Sequence, residues 1–317
     1  MRLISTASLF LLLAPTPWAQ PQKEEEPMSI KVDVDVVNIL CSVRDKKGAL
    51  IGNLTKDDFT LFEDGKPQTI KYFARETDLP LTIGLLVDVS GSQARLIQEE
   101  RQAAYQFFSQ VLRKKDMAFL ISFGPEAELL QDFTNSPRLL QSALDGLRVS
   151  SAVGGLHPGP VPTASQMRGT VLYDAVYLAA SDRLQKEVGR KAIVLITDGM
   201  DFGSRLKKEA AIEAAQRADS IIYSIYYVDQ AAYGGFGMGA SDSALRQMSE
   251  ETGGRLFHVG RKNPLSEIFR QLQEEMRSQY AIGFTSSNEK KDGGFRKLEI
   301  RAQDKNLKVQ ARKGYYK

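Results

Sequence analysis

From Leu81 the chain runs Leu-Thr-Ile-Gly-Leu-Leu-Val-Asp, a nearly unbroken apolar segment with β-branched residues. Such a run predicts a strand covered on both faces, as in a parallel sheet flanked by helices. Lys191–Thr197 (KAIVLIT) repeats the pattern, and Met117–Phe123, Ile221–Val228 and Leu256–Val259 read as further strands. Leu129–Phe133 is expected to pair beside Met117–Phe123. Helical stripes separate these runs. Leu96–Leu112 sets Ile97, Ala104, Phe108, Val111 and Leu112 on one face, and Leu172, Ala175, Val176 and Ala179 form another stripe. Ser136-Pro137 supplies an N-cap and first turn for a helix over Arg138–Leu147. Further helices are predicted over Lys207–Ala218, Ser243–Thr252 (closed by Gly253-Gly254) and Pro264–Gln279. Strand–helix alternation over residues 79–279 predicts an α/β domain, doubly wound around a mostly parallel sheet with helices on both faces.

The two ends of the chain follow a period of two instead. Ile30, Val32, Val34 and Val36 alternate with Lys31, Asp33 and Asp35, and the phase then slips to Val37, Ile39, Cys41 and Val43. A one-residue slip reads as a bulge or a break between strands. Phe59–Glu63 and Thr69–Ala74 are expected to pair as a hairpin through Asp64-Gly65. After Tyr280, strands are expected at Ala281–Thr285, Phe295–Ala302 and Leu307–Ala311. Neither end carries enough strands for a stable sheet alone. The economical arrangement is one β-sandwich formed by residues 29–78 and 280–317, with the α/β domain inserted between its halves.

The segment after the Leu81 strand is where chemistry concentrates. The strand stops in Asp88-Val89-Ser90-Gly91-Ser92. In open α/β sheets, ligands bind outside the carboxyl ends of the strands. One carboxylate and two hydroxyls at alternate positions, with Gly91 allowing a tight turn, can converge on a small hard cation that prefers oxygen ligands.

Asp-x-Ser-x-Ser at the end of a first buried strand resembles the metal-ion-dependent adhesion site of von Willebrand factor type A domains. That family completes its site with a Thr and an Asp from later loops. Here the matching positions are Thr170, in Gly169-Thr170-x-Leu172-Tyr173-Asp174-Ala175, and Asp198, in Thr197-Asp198-Gly199. The resemblance therefore implies a divalent cation, Mg2+ (or Mn2+ or Ca2+), held by Asp88, Ser90, Ser92, Thr170 and Asp198. It also implies a protein partner that presents an Asp or Glu to the open position of that cation. The flanks KDDFTLFEDGKPQTI and GFRKLEIRAQ…VQARKGYY are similar to those of secreted bacterial von Willebrand factor A-related proteins, so the resemblance spans nearly the whole mature chain. Two positions depart from the family. Gln93 follows Ser92 where many relatives carry Met, and the Gly/Pro/Ser-rich stretch 149–168 lies directly before Thr170, where it could cover the metal face.

Composition narrows the setting. The chain has 317 residues, 26% charged and 42% hydrophobic, with a formal net charge of +3, and nothing in that balance calls for nucleic acid. The excess of Lys and Arg in residues 289–317 alternates with apolar positions and reads as a solvated strand face. Residues 1–19 read as a signal peptide, with Arg2, an apolar core over Leu9–Ala14 and a cleavage region at Trp18-Ala19-Gln20. That core is far shorter than the roughly 20 residues that cross a bilayer, so the chain is expected not to span a membrane. Residues 20–28, rich in charge, read as a disordered linker. The expected location is outside the cell or in the periplasm or envelope. Cys41 is the single cysteine, which excludes an intrachain disulfide, and its phase with Val37, Ile39 and Val43 predicts a buried thiol.

Other motifs yield to plainer readings. Gly235-Phe236-Gly237-Met238-Gly239 lacks the GxGxxG spacing of a dinucleotide loop and follows a late strand. No Gly-x-Ser-x-Gly elbow exists in the chain, and neither His157 nor His258 is placed beside a nucleophile. Tyr223, Tyr226 and Tyr227 read as strand residues under helices. The sequence thus points to a non-enzymatic, metal-dependent binding module. A structural module whose cation only stiffens loops comes second, and a metal-dependent hydrolase, which would need a general base near the metal, third.

Overall fold

The computed structural model describes residues 36–76, 79–149, 169–229 and 241–317. The leader, the linker and the alternation before Val36 lie outside the described residues, as do the stretch 150–168 with His157 and the glycine run 235–239.

The described chain opens with β1 (Val36–Arg44), which buries Val37, Ile39, Cys41 and Val43 and leaves Val36 outside. Next come β2 (Phe59–Glu63) and β3 (Lys66–Gln68), joined by Asp64 and Gly65 at φ 48° and 79°. Positive φ at both central residues is the twist that a two-residue hairpin requires. The expected hairpin partner was wrong in one respect. β2 pairs with Lys66–Gln68 and not with Thr69–Ala74. The latter segment belongs to β4 (Ile70–Glu76), which leaves for a second sheet.

β5 (Leu81–Asp88) follows, buried at every position. The α/β region continues with α1 (Ile97–Val111), β6 (Met117–Phe123), β7 (Ala127–Thr134), α2 (Pro137–Gly146), α3 (Leu172–Tyr177, prolonged by a π-helical turn over 178–184) and β8 (Arg190–Thr197). It closes with α4 (Lys208–Arg217), β9 (Ser220–Tyr226), α5 (Ser243–Thr252), β10 (Leu256–His258) and α6 (Leu265–Met276). The helix expected to reach Gln279 stops at Met276, because Gln279 already opens β11 (Gln279–Thr285). The last strands are β12 (Phe295–Ala302), β13 (Lys308–Ala311) and β14 (Gly314–Tyr316), the last of which the sequence pattern did not suggest.

The central sheet has the order β10-β9-β8-β5-β6-β7, parallel except for the antiparallel edge strand β7. Leu81, Ile83, Leu85 and Val87 pack on one side with Phe107 and Phe108 of α1, Leu140 of α2 and Ile268 and Phe269 of α6. Leu86 faces the other side with residues of α3, α4 and α5. Both faces are therefore dry, which is why the strands read as continuous apolar runs. Gly84 is required here: a Cβ on it would lie 2.3 Å from Cζ of Phe119, its neighbour across β6.

The remaining strands form two antiparallel sheets, β13-β1-β11-β4 and β14-β12-β2-β3. One apolar cluster joins them, with Ile39, Cys41, Phe59, Leu61, Tyr280, Ile282, Phe284, Leu298 and Tyr315 among its members. Glu275 ties α6 to this layer. Its carboxylate is fully buried and accepts hydrogen bonds from Ser42 Oγ (3.1 Å), Arg44 Nη2 (2.5 Å) and Gln310 Nε2 (3.1 Å).

Candidate metal centre

The chain leaves β5 toward β6 on one side and returns to β8 on the other, so strand order reverses between β5 and β8. At such a switch point the connections diverge and open a crevice at the carboxyl ends. β5 ends in Asp88, and Asp198 directly follows β8. The two carboxylates thus stand at the ends of adjacent strands.

Local backbone chemistry shapes the first loop. Asp88 Oδ1 accepts from the Ser90 amide at 2.9 Å, and the Gln93 amide donates to Ser90 O at 2.9 Å, closing a single 3-10 turn over Gly91–Gln93. That turn brings the Ser90 and Ser92 hydroxyls to 3.0 Å from each other. Ser92 Oγ then donates to Asp198 Oδ2 at 2.6 Å. On the second loop Thr197 Oγ1 donates to Asp88 Oδ2 at 2.6 Å and accepts the Gly199 amide at 3.1 Å. Gly199 has φ 80°, and a Cβ there would meet Ser241 O at 2.5 Å. Asp198 Oδ1 accepts the Met200 amide at 3.1 Å. Asp88, Ser90, Ser92 and Asp198 are therefore brought together by hydrogen bonds, with Thr197 completing the circuit.

Thr170 sits on the neighbouring loop and is buried, and no hydrogen bond joins its hydroxyl to the other four residues among those described. Its backbone is held against the β8–α4 loop: the Thr170 amide donates to Phe202 O at 3.2 Å and the Phe202 amide to Thr170 O at 2.9 Å. Asp174 strengthens this seam by accepting the Arg205 and Leu206 amides, both at 2.9 Å. Asp174 and Thr197 are the supporting residues that sequence reasoning quoted within motifs without giving them a role.

The electrostatics favour a cation. Asp88 is fully buried, and its pKa is pushed up to about 6, first by desolvation and then by the Asp198 charge, against the stabilising hydrogen bonds from Ser90 and Thr197. Glu100, on the first turn of α1, was not foreseen. It is 1% exposed, and neither carboxylate oxygen has a hydrogen-bond partner. Its pKa is driven well above the usual range, chiefly by burial and then by the charges of Asp88, Glu99 and Asp198. The sequence signal existed: Glu100 falls three residues after Ile97, on the apolar stripe of α1. Buried acids that raise one another's pKa are what a bound divalent ion would relieve. The oxygen-only donor set, two carboxylates with hydroxyls, suits Mg2+, Mn2+ or Ca2+. Among the described residues no three His, Cys, Asp or Glu side chains gather as a metal cluster. A site here would thus rest on hydroxyls for part of its shell.

Asp88 at the end of the first parallel strand, the serine turn behind it and Asp198 after the adjacent strand follow the order and spacing that the resemblance implied. The central domain is a mostly parallel sheet with helices on both faces, the architecture that the resemblance to von Willebrand factor type A domains implied. Solved structures of von Willebrand factor type A domains are among the chain's matches. Proximal thread matrix protein 1 from the mussel byssus matches at 13% identity over 76% of this chain and 50% of its own, with a TM-score of 0.49. Another structure of that protein, with a zinc-occupied MIDAS motif, matches at 16% identity over 68% and 49%, with a TM-score of 0.48. The von Willebrand factor domain of the type V pili tip protein Mfa5 from Porphyromonas gingivalis matches at 13% identity over 62% and 95%, with a TM-score of 0.44. The chain spans about half the length of the mussel protein. No protein-family model matches the chain, and no curated protein matches it.

The remaining candidates of the sequence lie away from this centre. His258 Nε2 pairs with Asp242 Oδ2 at 2.9 Å near the end of β10. Cys41 is buried in the antiparallel layer, and its thiol pKa is pushed up to about 12 by desolvation. Tyr223 and Tyr227 are buried on β9 and just after it, under the helices of the α1 face. No helix among the described residues is long and apolar enough to cross a membrane.

Proposed function

We propose that this protein is a secreted, non-enzymatic binding module of the adhesion type. In this reading Asp88, Ser90, Ser92, Thr170 and Asp198 hold one Mg2+, Mn2+ or Ca2+ ion, and the ion's open position takes an Asp or Glu side chain from a partner protein. What carries the reading is the hydrogen-bonded circuit of Ser90, Ser92 and Asp198 with Asp88 and Thr197, assembled where the strand order reverses. Two carboxylates against a charge of two leave the ion close to neutral, and neutral hydroxyls add dipoles without charge. A near-neutral ion with an open position remains a good acceptor for one more carboxylate.

The organisation proposed with it is a signal peptide over residues 1–19, a linker over 20–28, and a β-sandwich of residues 29–78 and 280–317 into which residues 79–279 are inserted. The antiparallel pairing of β1 with β11 and of β2 with β12, and the apolar cluster they share, support the sandwich. Export to the periplasm, envelope or medium is read from the leader alone, and N-terminal sequencing of the exported protein should find a start near Gln20.

Calorimetry with Mg2+ and Mn2+ tests the metal. Asp88→Ala should abolish binding, because no neighbour replaces the missing charge. Thr170→Ala removes a neutral ligand that water can replace, so it should weaken partner capture more than metal binding. Capture from the source envelope with and without EDTA supplies the partner arm. Unchanged metal affinity in Asp88→Ala would refute the site, and capture indifferent to EDTA would leave a cation that only stiffens the loops.

A further inference from the structure

A cavity of about 330 Å3 lies at the amino ends of β8 and β9, at the end of the central sheet opposite Asp88 and Asp198. One wall is the outward face of β1, with Val36, Asn38 and Leu40 at alternate positions. The others come from the turn before β8, the turn between α4 and β9, and Arg312 just after β13. Two cations line the cavity below the surface. Lys191 is 7% exposed, and the Arg312 side chain 11%. The acids of the lining stand nearer to solvent: the Asp219 side chain is 64% exposed, and Glu187 is half-buried.

Neither cation has its donors filled. The ammonium of Lys191 carries three N–H donors, and its hydrogen bond runs to Glu187 O at 3.1 Å, a neutral carbonyl. Other buried cations of this protein meet carboxylates, as Arg44 meets Glu275 and Arg277 meets Asp116. Arg312 gives Nη1 to the Asp219 carboxylate and Nη2 to Asn38 O (2.7 Å), while its Nε is buried with no acceptor. Cationic N–H groups buried without an acceptor are costly. The Lys191 pKa falls accordingly, through desolvation first, against the pull of Asp219 and Glu187. Much of the remaining lining is apolar, with Val36, Leu40 and the 87% exposed Val188.

We propose that this cavity binds a small organic acid, its carboxylate on the free donors of Lys191 and Arg312 and its short apolar tail against Val36, Leu40 and Val188. Small-molecule sites span about 300–1,000 Å3, and a cavity at the lower end of that range selects a small ligand. Asp219 already occupies one edge of the Arg312 guanidinium. The site therefore suits a single negative charge, and a phosphate dianion would press against Asp219 and Glu187. The inference does not rest on the cation reading, because the two sites stand at opposite ends of the sheet.

The full chain is titrated with hexanoate by calorimetry, in EDTA so that no cation can take the carboxylate. Hexanol (no charge) and inorganic phosphate (no tail) are the comparison ligands. Wild type should bind one hexanoate, with hexanol and phosphate each at least tenfold weaker. Lys191→Met keeps an unbranched side chain and removes the charge, and should lower hexanoate affinity about ten- to a hundredfold, as for a lost charged hydrogen bond. Val188→Asp adds a negative charge at an exposed position where packing is not at stake, and should weaken hexanoate more than hexanol. Urea unfolding without ligand checks that each variant is folded. No saturable hexanoate binding by wild type, hexanol binding as tight as hexanoate, or unchanged affinity in a folded Lys191→Met would overturn the site. Phosphate binding tighter than hexanoate would overturn the organic acid as its ligand. Should Lys191→Met not fold, Val188→Asp carries the test, and equal weakening of hexanoate and hexanol would overturn the proposal.

Discussion

Replacing Asp88 by Asn in the metal-free protein separates the cost of its charge from the use of that charge. The carboxyl has a pKa of about 6 in the folded protein, against 3.8 for an unburied aspartate, with burial the main cause and the Asp198 charge the second. An acid whose pKa rises on folding favours the folded state while it is protonated. That contribution is fully present below about pH 4 and is lost as pH climbs through about 6. At about 1.4 kcal/mol per pKa unit, ionised Asp88 costs the metal-free fold about 3 kcal/mol at pH 7.5. Asn removes that cost but disturbs the hydrogen bonds. Its carbonyl can still accept the Ser90 amide, while its amide faces Thr197, whose hydroxyl now donates to Asp88 and accepts from Gly199. Losing that one donation costs about 1 kcal/mol at any pH. The variant should therefore be less stable than wild type by about 1 kcal/mol at pH 4 and more stable by about 2 kcal/mol at pH 7.5. Relief of Glu100, on which Asp88 also presses, acts in the same direction. Urea unfolding in EDTA at the two pH values measures the difference. A variant-minus-wild-type stability that does not change between pH 4 and pH 7.5 would refute the electrostatic account of this site. Saturating Mg2+ should reverse the order at pH 7.5, because only wild type gains from the ion.

Two further substitutions address the scaffold. Glu275→Ala strips a fully buried carboxylate from Ser42, Arg44 and Gln310 and leaves Arg44 facing an uncharged hole. It should cost roughly 3–5 kcal/mol in chemical denaturation, and limited proteolysis should show β1 and β13 loosening first. Gly84→Ala places a methyl carbon 2.3 Å from Cζ of the fully buried Phe119 ring, which must then shift. It should cost roughly 1–3 kcal/mol or more, and a neutral result by urea unfolding would mean that the ring can turn aside freely.

Much of this molecule is written locally. The apolar runs at Leu81–Val87 and Ala192–Ile196 are legible because a strand dry on both faces takes apolar side chains at nearly every position. The serine turn after Asp88 is legible because many of its hydrogen bonds run between residues within five positions of one another. What tertiary structure alone decided depends on neighbours distant in the chain. Thr69–Ala74 is a good strand by composition, and nothing in its pattern says that it will pair with β11 and not with β2. β14 is three residues long and exists because β12 offers it an edge. Thr197 reads as the last residue of a buried strand until folding sets it against Asp88, 109 positions earlier. Glu100 reads as one polar residue on a helix, and only packing removes it from water and brings it under the influence of the Asp88 and Asp198 charges. Hydrophobic periodicity encodes which face of an element is dry. It does not encode which distant charges will share that dryness, because electrostatic coupling depends on separation in space and on the medium between, and both are set only when the layers close.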